Sequence, residues 1–257
     1  MKLITPYVGI CDFMNREQVL DMLNVIRNYK HAGIKLMVGT MTSYKVLHDL
    51  PTSWANVFPK AKDLEEIFSI SDPLIVNTIH YADYEPNHQN LADWLCELMD
   101  LCGNYLDAIQ LDMVWPDPKQ LELFQSKFPM PIVLQINKQS MKDCENNPKI
   151  VAQKIRDEYR DSISCILLDC SMGKGIPIDV ALMENYIEAI RNYTAEIEIA
   201  VGGGLGPDTV SSVSELIKNY RVSIDAQSKL RVSGDAHDPI NWDLAKKYLH
   251  KSAGYYL

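Results

Sequence analysis

No stretch of the 257-residue sequence reaches about 18 uninterrupted apolar residues, so it offers no membrane-spanning helix. The opening Met1-Lys2-Leu3-Ile4-Thr5-Pro6 lacks the apolar core of a secretory signal. Cysteine is not arranged for structure. Cys11, Cys96, Cys102, Cys144, Cys165 and Cys170 form no CxxC pair, and no Cys/His group has zinc-ligand spacing. A cytoplasmic protein with reduced thiols and no bound metal is therefore expected. Positive charge is also scarce: 25 Lys and Arg face 34 Asp and Glu, for a formal charge of -9. A diffuse negative field repels nucleic-acid phosphates and anionic lipid, so neither is expected as a partner. No GxGxxG turn follows the first apolar run, and no Walker sequence, G-x-S-x-G elbow or Ser-His-Asp pattern is present.

What is present is an alternation of short apolar runs and longer amphipathic stretches. Tyr7-Val8-Gly9-Ile10-Cys11 is the first run, and Asn15-Arg16-Glu17-Gln18 then opens a helix with a cap and an acid in its first turn. Further runs read as strands at Gly33–Val38, Leu74–Thr78, Ala108–Leu111, Ile132–Ile136, Cys165–Leu168, Ile197–Val201 and Val222–Asp225. Helices are expected at Ala61–Ile70, Leu91–Leu101, Pro118–Lys127, Pro148–Tyr159, Asp179–Asn192, Pro207–Asn219 and Pro239–His250, with a long loop from Gly39 to Lys60. Eight strand–helix units without a linker imply right-handed crossovers and a parallel sheet. The expected fold is α/β, a (β/α)8 TIM barrel forming a single domain over residues 1–257; an open doubly wound sheet is the rival.

In such a barrel, chemistry gathers where strands end. Val201-Gly202-Gly203-Gly204-Leu205-Gly206-Pro207-Asp208 joins strand seven to its helix. Glycine lets successive amides converge on a ligand, so Gly203, Gly204, Leu205 and Gly206 form a candidate phosphate turn. A merely tight turn competes with that reading. After strand eight, Asp225, Ser228, Lys229 and Arg231 are candidate partners for the same anion, with solvated surface cations as the alternative. Cys11 and Asp169 end strands one and six. A thiolate at Cys11 is a competent base where its pKa is lowered, although a strand cysteine also serves as a small core residue. Asp169 follows the apolar Ile166-Leu167-Leu168, and desolvation there suits it to donate a proton; capping a loop is its other role. His80-Tyr81-Ala82-Asp83, on the loop after strand three, reads as solvated polarity rather than metal ligation, and the four tryptophans as packing.

Several of these segments together resemble the phosphoribosylanthranilate isomerase family, the barrel of tryptophan biosynthesis. Gly9-Ile10-Cys11-Asp12 resembles the family's K-I-C-G, and Ala108-Ile109-Gln110-Leu111-Asp112 its V-V-Q-L-H-G. Leu167-Leu168-Asp169 is similar to its L-L-D, and residues 201–210 to its A-G-G-L-x-P-E-N-V. Ser223-Ile224-Asp225-Ala226 and Asp238-Pro239 resemble its closing G-V-D-V-S-S-G and K-D-P. The resemblance implies an aldose–ketose isomerase, an intramolecular oxidoreductase. It would perform the Amadori rearrangement of N-(5-phosphoribosyl)anthranilate without a cofactor, as a monomer or homodimer. It places Asp169 as the acid that protonates the ring oxygen and Cys11 as the base that removes the C2 proton. Lys45 falls nearest the family's basic residue for the anthranilate carboxylate. The sequence departs from the family at Asp112, which replaces a histidine. It also lacks the S-S-G turn, and Ser171-Met172-Gly173-Lys174-Gly175 stands where G-G-T-G is usual. These departures keep two alternatives open: a diverged isomerase, epimerase or aldolase acting on another sugar phosphate, the last with Lys138 as its Schiff-base lysine, or a non-catalytic barrel that binds a phosphometabolite.

Overall fold

The apolar runs form strands because both of their faces are covered. A computed structural model of the chain describes residues 6–54, 57–84, 88–169 and 177–257. Its strands are β1 (Tyr7–Ile10), β2 (Lys35–Ser43), β3 (Ile75–Ala82), β4 (Ala108–Asp112), β5 (Ile132–Asn137), β6 (Cys165–Asp169), β7 (Glu198–Gly202) and β8 (Ser223–Ala226). Each pairs in parallel with its sequence neighbour, and β8 returns to β1 through Val8↔Ile224, Gly9↔Asp225 and Ile10↔Ala226. The barrel is closed, as the alternation predicts, and the open sheet is ruled out.

Inward and outward residues alternate along each strand, giving two apolar layers. Inside, Tyr7, Met37, Val76, Val133, Cys165 and Ala200 fill the lower barrel. Outside, a larger layer joins strands to helices, as where Leu36 and Val38 meet Leu23 and Ile26. The helices that cover the sheet begin where Asn or Asp can bond the free amides of the first turn. Asn15 and Gln18 form a capping box on α1 (Arg16–Ile26). The short α2 (Tyr44–Leu47) and α3 (Leu64–Phe68) follow β2, and α4 (Leu91–Cys102) follows β3. Asp117 caps α5 (Pro118–Lys127) and Asn147 caps α7 (Pro148–Lys154). Asp179 caps α8 (Val180–Tyr193) and Asn241 caps α10 (Trp242–Gly254). Among the described residues, no helix is long and apolar enough to cross a membrane.

The structure corrects the reading in four places. β2 and β3 run on in register to Ser43↔Ala82, well past the expected ends at Val38 and Thr78. Polar residues such as Thr40, Thr42, Thr78 and His80 interrupt the apolar pattern yet are buried. A further short helix, α6 (Lys138–Asp143), follows β5, with Asn137 accepting bonds from the Gln139 and Ser140 amides. The expected helix Pro148–Tyr159 widens into a π-helical turn at Ile155–Tyr159, where the buried Tyr159 OH donates to the Pro116 carbonyl at 2.7 Å. After β7, the expected start at Pro207 is spent on a turn; one tight helical turn at Val210–Val213 then leads into α9 (Ser214–Tyr220).

Two glycines clear space inside the barrel. A Cβ at Gly9 would stand 2.5 Å from Asp225 Oδ1, and one at Gly39 would stand 2.9 Å from both His80 Nε2 and the Ile10 carbonyl. The Gly39 contact includes backbone and cannot be relieved by a rotamer change. Gly39→Ala is therefore expected to cost about 1–3 kcal/mol in urea unfolding through overpacking. Gly254→Ala, with nothing within 4 Å of the added carbon, should be neutral or slightly stabilising.

Candidate active site

The strand C-termini enclose a cavity of about 440 Å³. Cys11 stands one residue past β1, held there by its amide, which donates to the Ala226 carbonyl at 3.3 Å. Its thiol donates to Asp225 Oδ1 at 3.4 Å, and its Sγ lies 3.5 Å from His80 Nδ1. All three side chains are buried and line the cavity. Burial pushes the Cys11 thiol well above its ordinary range, and the Asp225 and Asp12 carboxylates push it further. Burial likewise raises Asp225 to about 7 and lowers His80 to about 3. Desolvation thus favours the neutral form of each group.

Asp169 enters the cavity from the end of β6. A row of amides reaches it across the barrel: Gln110 Nε2 donates to Gln135 Oε1 at 3.2 Å, and Gln135 Nε2 donates to Asp169 Oδ2 at 3.2 Å. Beside this row, the Tyr84 hydroxyl donates to Asp112 Oδ1 at 2.5 Å and accepts from Asn137 Nδ2 at 3.1 Å. Burial raises Asp112 to about 6.

The glycine turn borders the same space. Gly203 (φ 113°) and Gly204 (φ 60°) adopt conformations that disfavour other residues, and both line the cavity with Ser228 and Lys45. Leu205 and Gly206 are buried outside the lining. Gly206 serves close approach instead, since a Cβ there would lie 2.7 Å from Lys229 Cβ. The expected dipole of a helix starting at Pro207 is not at the turn, because α9 begins only at Ser214. Neither Lys229 nor Arg231 lines the cavity. Lys229 is exposed, while the buried Arg231 forms an ion pair with Asp12 and donates to the Gln227 carbonyl at 2.6 Å. Lys138 opens α6 as an exposed residue away from the cavity, so nothing in its placement favours the aldolase alternative. Residues 171–175 lie outside the described residues. Among the described residues, the lining carries one Lys or Arg, Lys45, against Asp83, Asp112, Asp169 and Asp225.

His80 stands on β3 rather than on a loop, and the sequence reading missed its part in the cluster. It lies 69 positions from Cys11, and Asp225 lies 214 positions from Cys11, so no local spacing announces the group. Gln110 and Gln135 did leave a signal, as lone amides at inward positions of apolar strands. Trp54, expected to pack, lines the cavity and meets His237 in a tilted ring contact with centroids 4.2 Å apart.

The geometry defines a (β/α)8 barrel with an acidic, thiol-bearing cavity at its strand tips. No protein-family model matches the chain, and no curated protein matches it. Solved structures do. The phosphoribosylanthranilate isomerase from Thermus thermophilus superposes with a TM-score of 0.63 at 17% identity, covering 97% of this chain and 98% of that one. The isomerase from Thermotoga maritima, in a monomeric form, gives 0.61 at 18%, covering 97% and 100%. A chitinase domain from Pyrococcus furiosus gives 0.55 at 10%, covering 97% and 95%. The chain shares its fold with these proteins over nearly its whole length.

Two outcomes follow from the charged groups. Arg231→Met leaves the Asp12 carboxylate buried without its ion-pair partner and should cost about 3–5 kcal/mol in denaturant unfolding. The double variant with Asp12→Gly should recover much of that loss. Asp112 has a folded pKa of about 6 against about 3.9 unfolded, so the native state holds more protons between those values. Its contribution to stability therefore falls as pH rises from about 4 to 6, by on the order of 2 kcal/mol. Unfolding of Asp112→Asn across that range should show a correspondingly flatter profile than the parent protein.

Proposed function

We propose that the protein is an aldose–ketose isomerase of the phosphoribosylanthranilate type, working by acid–base catalysis without a cofactor. The reading rests on one observation: Cys11 and Asp169, from β1 and β6, line the same cavity, and the Cys11 thiol donates to the buried Asp225. In the proposed reaction Asp169, oriented by Gln135, protonates the ring oxygen of the glycosylamine, and the ring opens to an iminium. The Cys11–Asp225 pair then acts as one base. As sulfur takes the C2 proton, Asp225 accepts the thiol proton, which offsets the cost of a thiolate in so buried a position. The resulting enolamine tautomerises to the ketose. The Gly203 and Gly204 amides, Ser228 and Lys45 would hold the phosphate and carboxylate ends. Tryptophan biosynthesis in the cytoplasm is the setting this reaction implies.

One observation favours a second substrate within the same chemistry. With Arg231 committed to Asp12 and four carboxylates among the described lining residues, the cavity suits a glycosylamine with less negative charge than phosphoribosylanthranilate.

The test is turnover of N-(5-phosphoribosyl)anthranilate, followed by loss of its fluorescence in the presence of a metal chelator. The parent protein should turn over, and Cys11→Ala and Asp169→Asn should each lose at least ~100-fold in kcat. Parent-level activity in either variant would remove that residue from its role. No turnover of this substrate, with isomerisation of a less charged glycosylamine that depends on the same two residues, would establish the second reading.

A further inference from the structure

The Cys11, His80 and Asp225 side chains bring three different donor atoms, sulfur, nitrogen and oxygen, to within 4.8 Å of one another. Sγ is 3.5 Å from Nδ1 and 3.4 Å from Oδ1. A tetrahedral zinc ion, with a Zn–S bond of about 2.3 Å and Zn–N or Zn–O bonds of about 2.0–2.1 Å, separates its sulfur from its other ligands by about 3.5 Å. Two of the three edges of such a site are already drawn.

Hydrogen bonds to sulfur have similar lengths, so distance alone does not decide between the two. The imidazole does. His80 is 2% exposed, and its Nδ1 is the ring nitrogen that faces the Cys11 sulfur. Among the described residues that long contact is the ring's one polar partner, and the thiol's single proton already goes to Asp225. A buried ring so poorly satisfied is costly unless a ligand completes it. The backbone has also been cleared for the cluster: a Cβ at Gly9 would collide with Asp225, and one at Gly39 with His80. The donors come from the end of β1 and from β3 and β8, and each borders the cavity. One thiolate and one carboxylate balance a dication, so the complex carries no net charge into the barrel interior. A sulfur–nitrogen–oxygen set favours zinc-like ions over magnesium or calcium.

We propose that Cys11, His80 and Asp225 bind one divalent ion of the zinc type, with its fourth coordination position open to the cavity. Coordination displaces the Cys11 thiol proton to solvent. It also withholds the sulfur from proton abstraction, so within the isomerase reading the ion is a reversible inhibitor. The binding site itself does not depend on that reading.

The experiment uses the full chain, stripped with chelator and then titrated with cobalt(II) and zinc(II). One equivalent of cobalt should bind and give a thiolate-to-cobalt charge-transfer band in the near ultraviolet. Cys11→Ser should abolish the band, and His80→Asn should weaken zinc binding at least ~100-fold, as measured by competition with a chelating dye. Zinc should raise the Tm of the parent protein and leave that of folded His80→Asn unchanged, while magnesium shifts neither. Circular dichroism establishes that each variant is folded. Should Cys11→Ser not fold, the His80→Asn comparison carries the test. Absence of the band at stoichiometric cobalt would overturn the site. So would a band undiminished in Cys11→Ser, or zinc affinity undiminished in His80→Asn. No substrate enters these measurements, and turnover is assayed in chelator, so failure of one proposal is read separately from failure of the other.

Discussion

Pairing of β8 with β1 is the contact on which the rest of the molecule depends. Three register pairs close the barrel, and the second of them sets Asp225 beside Gly9, where the missing side chain leaves room for a carboxylate. The same seam brings the Cys11 thiol against Asp225 and carries the buried pair of Asp12 with Arg231. Asp12 adopts a left-handed backbone conformation (φ 69°) to do this, at the position where the resembled motif has glycine. Aspartate tolerates that region better than most residues, so the exchange for glycine adds an ionic clamp at modest backbone cost.

Closure also fixes the electrostatics. Polar side chains pointing inward from strand ends have little water to turn to, and desolvation is the leading influence on Cys11, His80, Asp112 and Asp225 alike. It raises the acids Asp112 and Asp225 and lowers the base His80, so each is less readily charged than in water. Proton movement between neighbours is then easier than creation of an isolated ion, because a transfer within the cluster leaves its total charge unchanged. A thiol beside a carboxylate near neutrality suits that kind of exchange.

The strands were legible where apolar residues cover both faces, and the helix starts where Asn or Asp precedes an amphipathic stretch, as at Asn15 and Asp179. The extensions of β2 and β3 were hidden because their buried residues are polar. Thr40, Thr42 and His80 are such residues, each buried within an extension. At the site, Cys11, Asp169, Gly203, Gly204, Asp225, Ser228 and Lys45 all meet one cavity, because each follows or ends a strand whose position was readable. Arg231 could not be placed this way. Its partner lies 219 residues away, and only closure of the ring makes them neighbours.

The tilted contact of Trp54 with His237 joins the segment after β2, which lines the cavity, to the segment after β8. An indole held by a ring from a different part of the chain acts as a keystone. The indole's place against the cavity thus depends on two segments of chain that meet only because the barrel closes.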